Sequence, residues 1–337
     1  MKKHTQPVLA ISYFVEVIAF LKELNVDTDD LCNNLNITQR QMDDPAACIT
    51  ISQFSMALSY ARKLCNGSIS GLVFGGRLGP ASHGLAGLSA VTQPNVGECF
   101  QTIEKVFEHR FPIFTIEYIQ EDDYFGLRFT EVLPLGEDLA FLIEAIFSSF
   151  YNIGVLQSKE SHNIHKINFS FREPENSSMY HELFGNNIEF DSAYCEYFVP
   201  IDRFYDPIIL SNSTASTHFL RQLEDETPEP NKDMLPKTIL SILEQEQEHL
   251  PSITEMAGKL SMSDRTLRRK INSFNTTYHD LLMLHKRRKA IAYLRDTKKS
   301  ITEISGLLCY QDPSHFSKAF REWTGCSPTQ YRKEYED

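Results

Sequence analysis

The chain has 337 residues, 42% of them hydrophobic and 23% charged, with 15 Gly and 15 Pro. At about 150 residues per domain this is enough for two domains with sizeable cores, and the composition excludes collagen-like, low-complexity and wholly disordered chains. The formal net charge of -12, read as one number, argues against a polyanionic partner.

The charge is unevenly spread, however. From Asn231 onward 18 Lys/Arg stand against 14 Asp/Glu, whereas the upstream residues carry 15 against 31. Between Lys259 and Lys299 twelve basic residues face only Asp264, Asp280 and Asp296. A basic stretch in an acidic chain is the footprint of a polyanion site. Seven cysteines, an odd number with no C-x-x-C pair, favour neither a disulfide framework nor a thiolate metal site.

In chain order, Lys2 and Lys3 precede an apolar stretch from Val8 to Leu21 that superficially resembles a secretory signal. Glu16 interrupts it and no small-x-small cleavage site follows. The spacing of Val8, Ile11, Val15 and Ile18 predicts a surface helix instead. No run reaches the ~18 apolar residues of a membrane span, and a cytoplasmic location with no membrane partner is expected. Helices are predicted at 8–24, 50–65 and 96–109, the last two capped by Thr50 and Asn95. The glycines Gly71, Gly75, Gly76, Gly79, Gly84 and Gly87 lack a following G-K-[ST] and a leading strand, so turns and close helix packing are expected there, not a nucleotide.

The period then changes from 3.6 to 2. Phe114 to Gln120 and Tyr124 to Glu131 alternate around the acidic turn Glu121-Asp122-Asp123 and read as a hairpin. A strongly apolar helix follows from Glu137 to Gln157, long enough to lie across a sheet. Strands are expected within Ile164 to Phe171 and Ala193 to Val199. His162 and His165 have metal-ligand spacing, but no third ligand is in sight. Arg77, His83, Arg110 and Arg128 lie near apolar stretches, each readable as an anion contact or as a structural pair. Residues 223–234 carry two prolines and many charges, and read as an extended linker between a 1–222 domain and a 235–337 domain.

After a helix from Leu235 to Glu248, Ile253 to Leu260 reads as a short helix, Ser261-Met262-Ser263 as a turn and Asp264 to Phe274 as a second helix capped by Ser263. On that second helix Leu267, Ile271 and Phe274 point inward, while Arg265, Arg268, Arg269 and Asn272 point outward beside Thr266. Guanidinium forks suit guanine O6 and N7 in the major groove. The pattern repeats forty-eight residues later. Ile301-Thr302-Glu303 copies Ile253-Thr254-Glu255, a turn follows at Cys309 to Asp312, and Pro313 to Thr324 forms the second helix. Ser314, His315 and Lys318 face out with Arg321. The intervening helix, Thr277 to Arg295, is about 30 Å long, which would set two readers about one turn of B-DNA apart. Lys286, Arg287 and Lys289 on it, with Lys298, Lys299 and Arg321, are the expected phosphate contacts.

Residues 235 to 332, above all Pro313-Ser314-His315-Phe316-Ser317-Lys318-Ala319-Phe320-Arg321-Glu322-Trp323-Thr324-Gly325-Cys326-Ser327-Pro328, resemble the DNA-binding domain of the AraC/XylS regulators. Two departures from that pattern are Cys309, where the family usually has Gly, and Gly306 in mid-helix. A fainter resemblance, in His83 to Leu88, Thr92 to Glu98, His181 to Phe190 and Phe198 to Pro200, is to the "arabinose-binding-type" amino-terminal domain of the ornithine and virulence regulator branch. The resemblance implies an α+β sensor domain and an all-α domain with two helix-turn-helix units. It further implies an effector-responsive activator without cofactor or metal, whose partners are double-stranded operator DNA, RNA polymerase, a small-molecule effector and a second copy of the chain. Two alternatives stand beside it. One is a regulator that senses a protein or only oligomerises. The other is a DNA-repair alkyltransferase, which needs an activated thiolate; no Cys here has His or Cys at ligand spacing.

Overall fold

The computed structural model describes residues 9–44, 47–64, 70–107, 111–157, 166–226, 234–246 and 249–335. Arg110, His162 and His165 fall outside them. The first layer is helical. A two-residue strand β1 (Leu9–Ala10) leads into α1 (Ile11–Glu23), followed by α2 (Asp29–Leu35), α3 (Gln39–Met42), β2 (Cys48–Ile49) and α4 (Ile51–Leu64). β1 and β2 pair antiparallel. Thr50 and Gln53 exchange side-chain and backbone hydrogen bonds at the start of α4, the capping box expected of that spacing.

The glycine-rich stretch forms α5 (Gly71–Gly75), a 3-10 turn (Pro80–His83) and α6 (Gly84–Val91), and α7 (Val96–Phe107) follows, its start held by Asn95 and Glu98. Close packing explains two of the glycines. A Cβ on Gly71 would lie 2.1 Å from the Phe141 carbonyl oxygen and one on Gly75 2.2 Å from that of Ala145, so α5 lies backbone to backbone on the next long helix. The Gly71 N–H donates to the buried Glu144 carboxylate at 2.8 Å; the Tyr180 hydroxyl donates to the same group.

The hairpin β3 (Phe114–Gln120) and β4 (Tyr124–Glu131) has the predicted bounds, with Phe114 opposite Glu131. Then come α8 (Asp138–Gln157), β5 (Lys166–Asn168), α9 (Ser178–Phe184), β6 (Ile188–Glu189), β7 (Cys195–Pro200) and α10 (Ser213–Glu226). The sheet order is β3-β4-β7-β5-β6, antiparallel except for the β5/β6 pair. α8 covers one face, its Phe147 packing on Phe129, Phe169 and Tyr197. By length and composition α8 is long and apolar enough to cross a membrane; here it is the core helix over the sheet. The N-terminal domain is thus α+β.

The linker expectation needs correcting at its first residues. Positions 223–226 close α10, whose Leu223 is buried and whose Ser216 accepts a bond from Gln93 at 2.6 Å. Ser216, Leu220 and Leu223 make an i, i+4, i+7 stripe, and burial of that stripe outweighs the charge around it. Residues 227–233 are outside the described set.

The rest of the chain is helical: α11 (Leu235–Gln245), α12 (Ile253–Lys259), α13 (Asp264–Asn272), α14 (Tyr278–Asp296), α15 (Ile301–Leu307), α16 (Pro313–Thr324) and α17 (Pro328–Tyr335). One core, built on Met256, Ala257, Leu267, Ile271 and Leu281, is continuous with that of the N-terminal domain. A second gathers Ala290, Ile291, Leu294, Ile304, Leu308, Phe316, Phe320 and Tyr331 around the other half of α14.

Candidate nucleic-acid interface

The two bihelical units repeat down to their hydrogen bonds. Ser252 and Glu255 form a reciprocal capping box at the start of α12, and Ser300 and Glu303 do the same for α15. The bond from the Ser252 N–H holds the Glu255 carboxyl at about 2. Each short helix ends on a left-handed residue, Ser261 (φ 54°) or Cys309 (φ 55°). The next N–H returns to the carbonyl five residues back, Met262 to Ala257 at 2.8 Å and Tyr310 to Ser305 at 3.0 Å. That is the closure of a Schellman motif, where Gly is preferred.

The second helix of each unit is then fixed by its cap and its buried stripe. Ser263 accepts from the Thr266 N–H at 3.3 Å, and the Thr254 hydroxyl donates to Asp264 at 2.8 Å, tying α12 to α13. Leu267 and Ile271 are fully buried, while Arg265, Arg268, Arg269 and Asn272 are exposed along one side. Thr266 sits half-buried with its hydroxyl 3.0 Å from Ser263 Oγ, so it belongs as much to the cap as to the outer face. In the second unit Phe316 and Phe320 are buried and Ser314, His315, Lys318 and Arg321 exposed.

Asp312 is a residue whose role sequence reasoning missed. It accepts the N–H groups of Ser314 (2.8 Å) and His315 (2.9 Å) at the head of α16. Its other oxygen lies 2.8 Å from His315 Nδ1. The His315 N–H bond is the largest cause holding its carboxyl below the usual range. Asp312 therefore caps the helix and orients the imidazole, with Nε2 directed away. The signal was local: an Asp immediately before a first-turn Pro.

The expected phosphate contacts divide. Lys298, Lys299 and Arg321 are exposed. Lys286 is 7% exposed, its ammonium 4.2 Å from the Tyr310 ring centroid and 3.5 Å from the Cys309 carbonyl, and burial lowers its pKa. Lys289 pairs with Glu244 of α11. Arg287 donates to the Ser170 carbonyl at 3.0 Å, across the domain boundary. The outward assignment is corrected for Lys286, which is buried; Arg287 and Lys289, on other sides of α14, are half-buried and engaged with Ser170 and Glu244 in this arrangement. Neighbouring cations do the same. Arg288 donates to the Glu131 carbonyl at 3.1 Å. Arg295 pairs with Glu189 and donates to Ser192 Oγ at 2.8 Å, and the Tyr331 hydroxyl on α17 bonds the Asp191 carbonyl. The acidic domain and the basic helix are partners of each other.

Elsewhere, Arg77 pairs with Glu23, and Arg128 with Glu196 at 2.7 Å, the structural alternative for both. Burial pushes the Cys99 and Cys195 thiols up to about 12, the direction opposite to an activated nucleophile.

Comparison with known proteins follows the same division of the chain. Residues 256–334 match a family described as a helix-turn-helix domain, and residues 26–197 match the N-terminal arabinose-binding domain of AraC transcription regulator. The ornithine utilization regulator of Pseudomonas aeruginosa is 27% identical over 331 residues, spanning 98% of this chain and 97% of that protein. The regulator VirS of Mycobacterium tuberculosis is 26% identical over 170 residues, 49% of each chain. The transcriptional activator PerA of Escherichia coli O127:H6 is 33% identical over 81 residues, 24% of this chain and 30% of that one. Among solved structures, that of the transcriptional regulator CdpR from Pseudomonas aeruginosa aligns over 97% of this chain and 100% of its own, at 20% identity and a TM-score of 0.48.

Proposed function

Because the chain belongs to the AraC family of transcription regulators, we propose that its two exposed second-helix faces read base edges in successive major grooves of duplex operator DNA. The protein is an effector-responsive, DNA-binding regulator; the finer reading concerns which residues do what. Arg265, Arg268, Arg269 and Asn272 on α13, and Ser314, His315 and Lys318 on α16, are the base readers. Lys298, Lys299 and Arg321 hold phosphates and set the register. Thr266 acts through the cap. The N-terminal domain takes the effector, and the regulator acts as an activator that contacts RNA polymerase and pairs with a second copy.

One observation carries this reading: the same bihelical unit occurs twice, forty-eight residues apart, each time with a buried apolar stripe and an exposed polar one. A plain solvated face has no reason to repeat with its caps. The test is binding of the full chain to duplex fragments from its own genome across a salt series. Affinity for the selected operator should fall steeply with salt. Arg268→Ala should cost about 1–3 kcal/mol at that operator, concentrated at one base-pair position. Equal affinity of wild type and Arg268→Ala for the operator would remove Arg268 from the readers, and no salt-sensitive binding to any duplex would overturn the proposal.

A further inference from the structure

The N-terminal domain has a half-open cavity of about 110 Å³ between α6, α7, the second half of α8, β7 and the segment 203–208. Its wall is hydrocarbon: Val91, Phe100, Ile103, Phe107, Phe150 and Ile208 all face it. The imidazole, guanidinium and carboxylate that reach it are already engaged. His83 Nε2 lies 2.7 Å from Ser149 Oγ and its Nδ1 lies 3.1 Å from the Tyr13 hydroxyl, while Arg203 donates to the Asp206 carboxylate at 2.9 Å. A charged or zwitterionic molecule entering here would lose its hydration with no unmatched charge to replace it. An apolar space of similar size, about 150 Å³ in another protein, stays dry and takes up benzene. Next to lining residues in the chain, apolar side chains stand at the surface, with Val155 44%, Tyr205 81% and Ile209 59% exposed.

We propose that this cavity is the effector site and that its ligand is a small, uncharged, hydrocarbon-like molecule about the size of one aromatic ring. The inference deepens the reading of the N-terminal domain as a sensor and rests on it. Its connection to the DNA-binding domain is short. Tyr197 of the cavity wall lies on β7, which begins at Cys195, three residues after the Ser192 that receives Arg295. A ligand that orders the wall also bears on the strand that directly follows the loop residues Asp191 and Ser192 that hold Arg295 of α14.

Toluene is the apolar probe and ornithine the charged one, with thermal unfolding of the full chain as the readout. At about ten times its Kd toluene should raise the wild-type Tm by roughly 2–6 °C, and ornithine should leave it unchanged. In Gly154→Leu the new side chain is added at the cavity wall, where a Cβ meets no atom within 4 Å; the toluene shift should vanish. Nuclear Overhauser contacts from toluene to the rings of Phe100 and Phe107 in the wild-type chain test the same site without any substitution. No toluene shift in the wild type, an equal shift in both chains, contacts that miss those rings, or an ornithine shift abolished by Gly154→Leu would each overturn the proposal. Salt-dependent binding of duplex DNA by the same unliganded chain separates the two readings. Intact DNA binding without a toluene shift removes only the cavity assignment, and an intact shift without DNA binding removes only the base-reading one.

Discussion

At Ser261 and Cys309 the backbone turns through φ of 54° and 55°, a conformation that costs a side-chain-bearing residue about 1–2 kcal/mol and glycine almost nothing. Both positions are exposed, so no packing is lost on trimming them. Cys309→Gly and Ser261→Gly are each expected to raise stability by up to about 1 kcal/mol, the relieved strain less the entropy of a freer unfolded chain. Urea unfolding of the full chain measures it, and a loss of stability would show that the side chains have contacts of their own. His285 makes a second prediction. Burial drives its pKa down to about 4, against the opposing pull of Glu244. The unfolded state then binds the extra proton between about pH 6.5 and 4, so stability from this group is complete above pH 6.5 and drains away as pH falls, by at most about 1.4 kcal/mol per pH unit. His285→Gln should flatten that part of the Tm profile; an unchanged acid limb would assign the loss elsewhere.

Among the elements, those set by local chemistry were legible and those set by a distant partner were not. The hairpin alternates over 114–131 and the caps at Thr50, Asn95 and Ser263 precede their helices, so both are written within a few residues. Strand β6 is two residues long and pairs only with β5, too short for a period to declare itself. α14 is the instructive case. Its cations look alike in sequence, yet Lys286 lies under Tyr310 and Arg287 reaches Ser170, choices made by surfaces more than twenty residues away. The same reasoning gives opposite expectations for neighbours in the chain. Lys298→Ala or Lys299→Ala should flatten the salt slope of operator binding by up to about one unit with little change in Tm. Lys286→Ala should lower the unfolding midpoint and leave the slope alone. A slope change with Lys286→Ala would mean that α14 turns this face to DNA when bound.

For the molecule as a whole, the basic domain is bonded to the acidic one, Arg295 by an ion pair with Glu189 and its neighbours by hydrogen bonds. Arg287, Arg288, Arg295 and Tyr331 all bond acceptors between Glu131 and Ser192, and the apolar core runs across the same boundary. Arg295→Ala should cost about 1–3 kcal/mol, less than a fully buried pair because Glu189 is 39% exposed. In calorimetry it should pull the DNA-binding domain's transition below that of the sensor; a single unsplit transition at the wild-type temperature would show that the apolar part alone binds the domains together.

One rod, α14, joins both bihelical units and is also what the sensor grips. Nineteen residues at 1.5 Å make it about 28 Å long, and a stiff spacer of fixed length has little tolerance for phase. Five base pairs slipped between the halves of a binding sequence would rotate one half to the far side of the duplex, beyond the reach of a chain whose arms cannot swing around it.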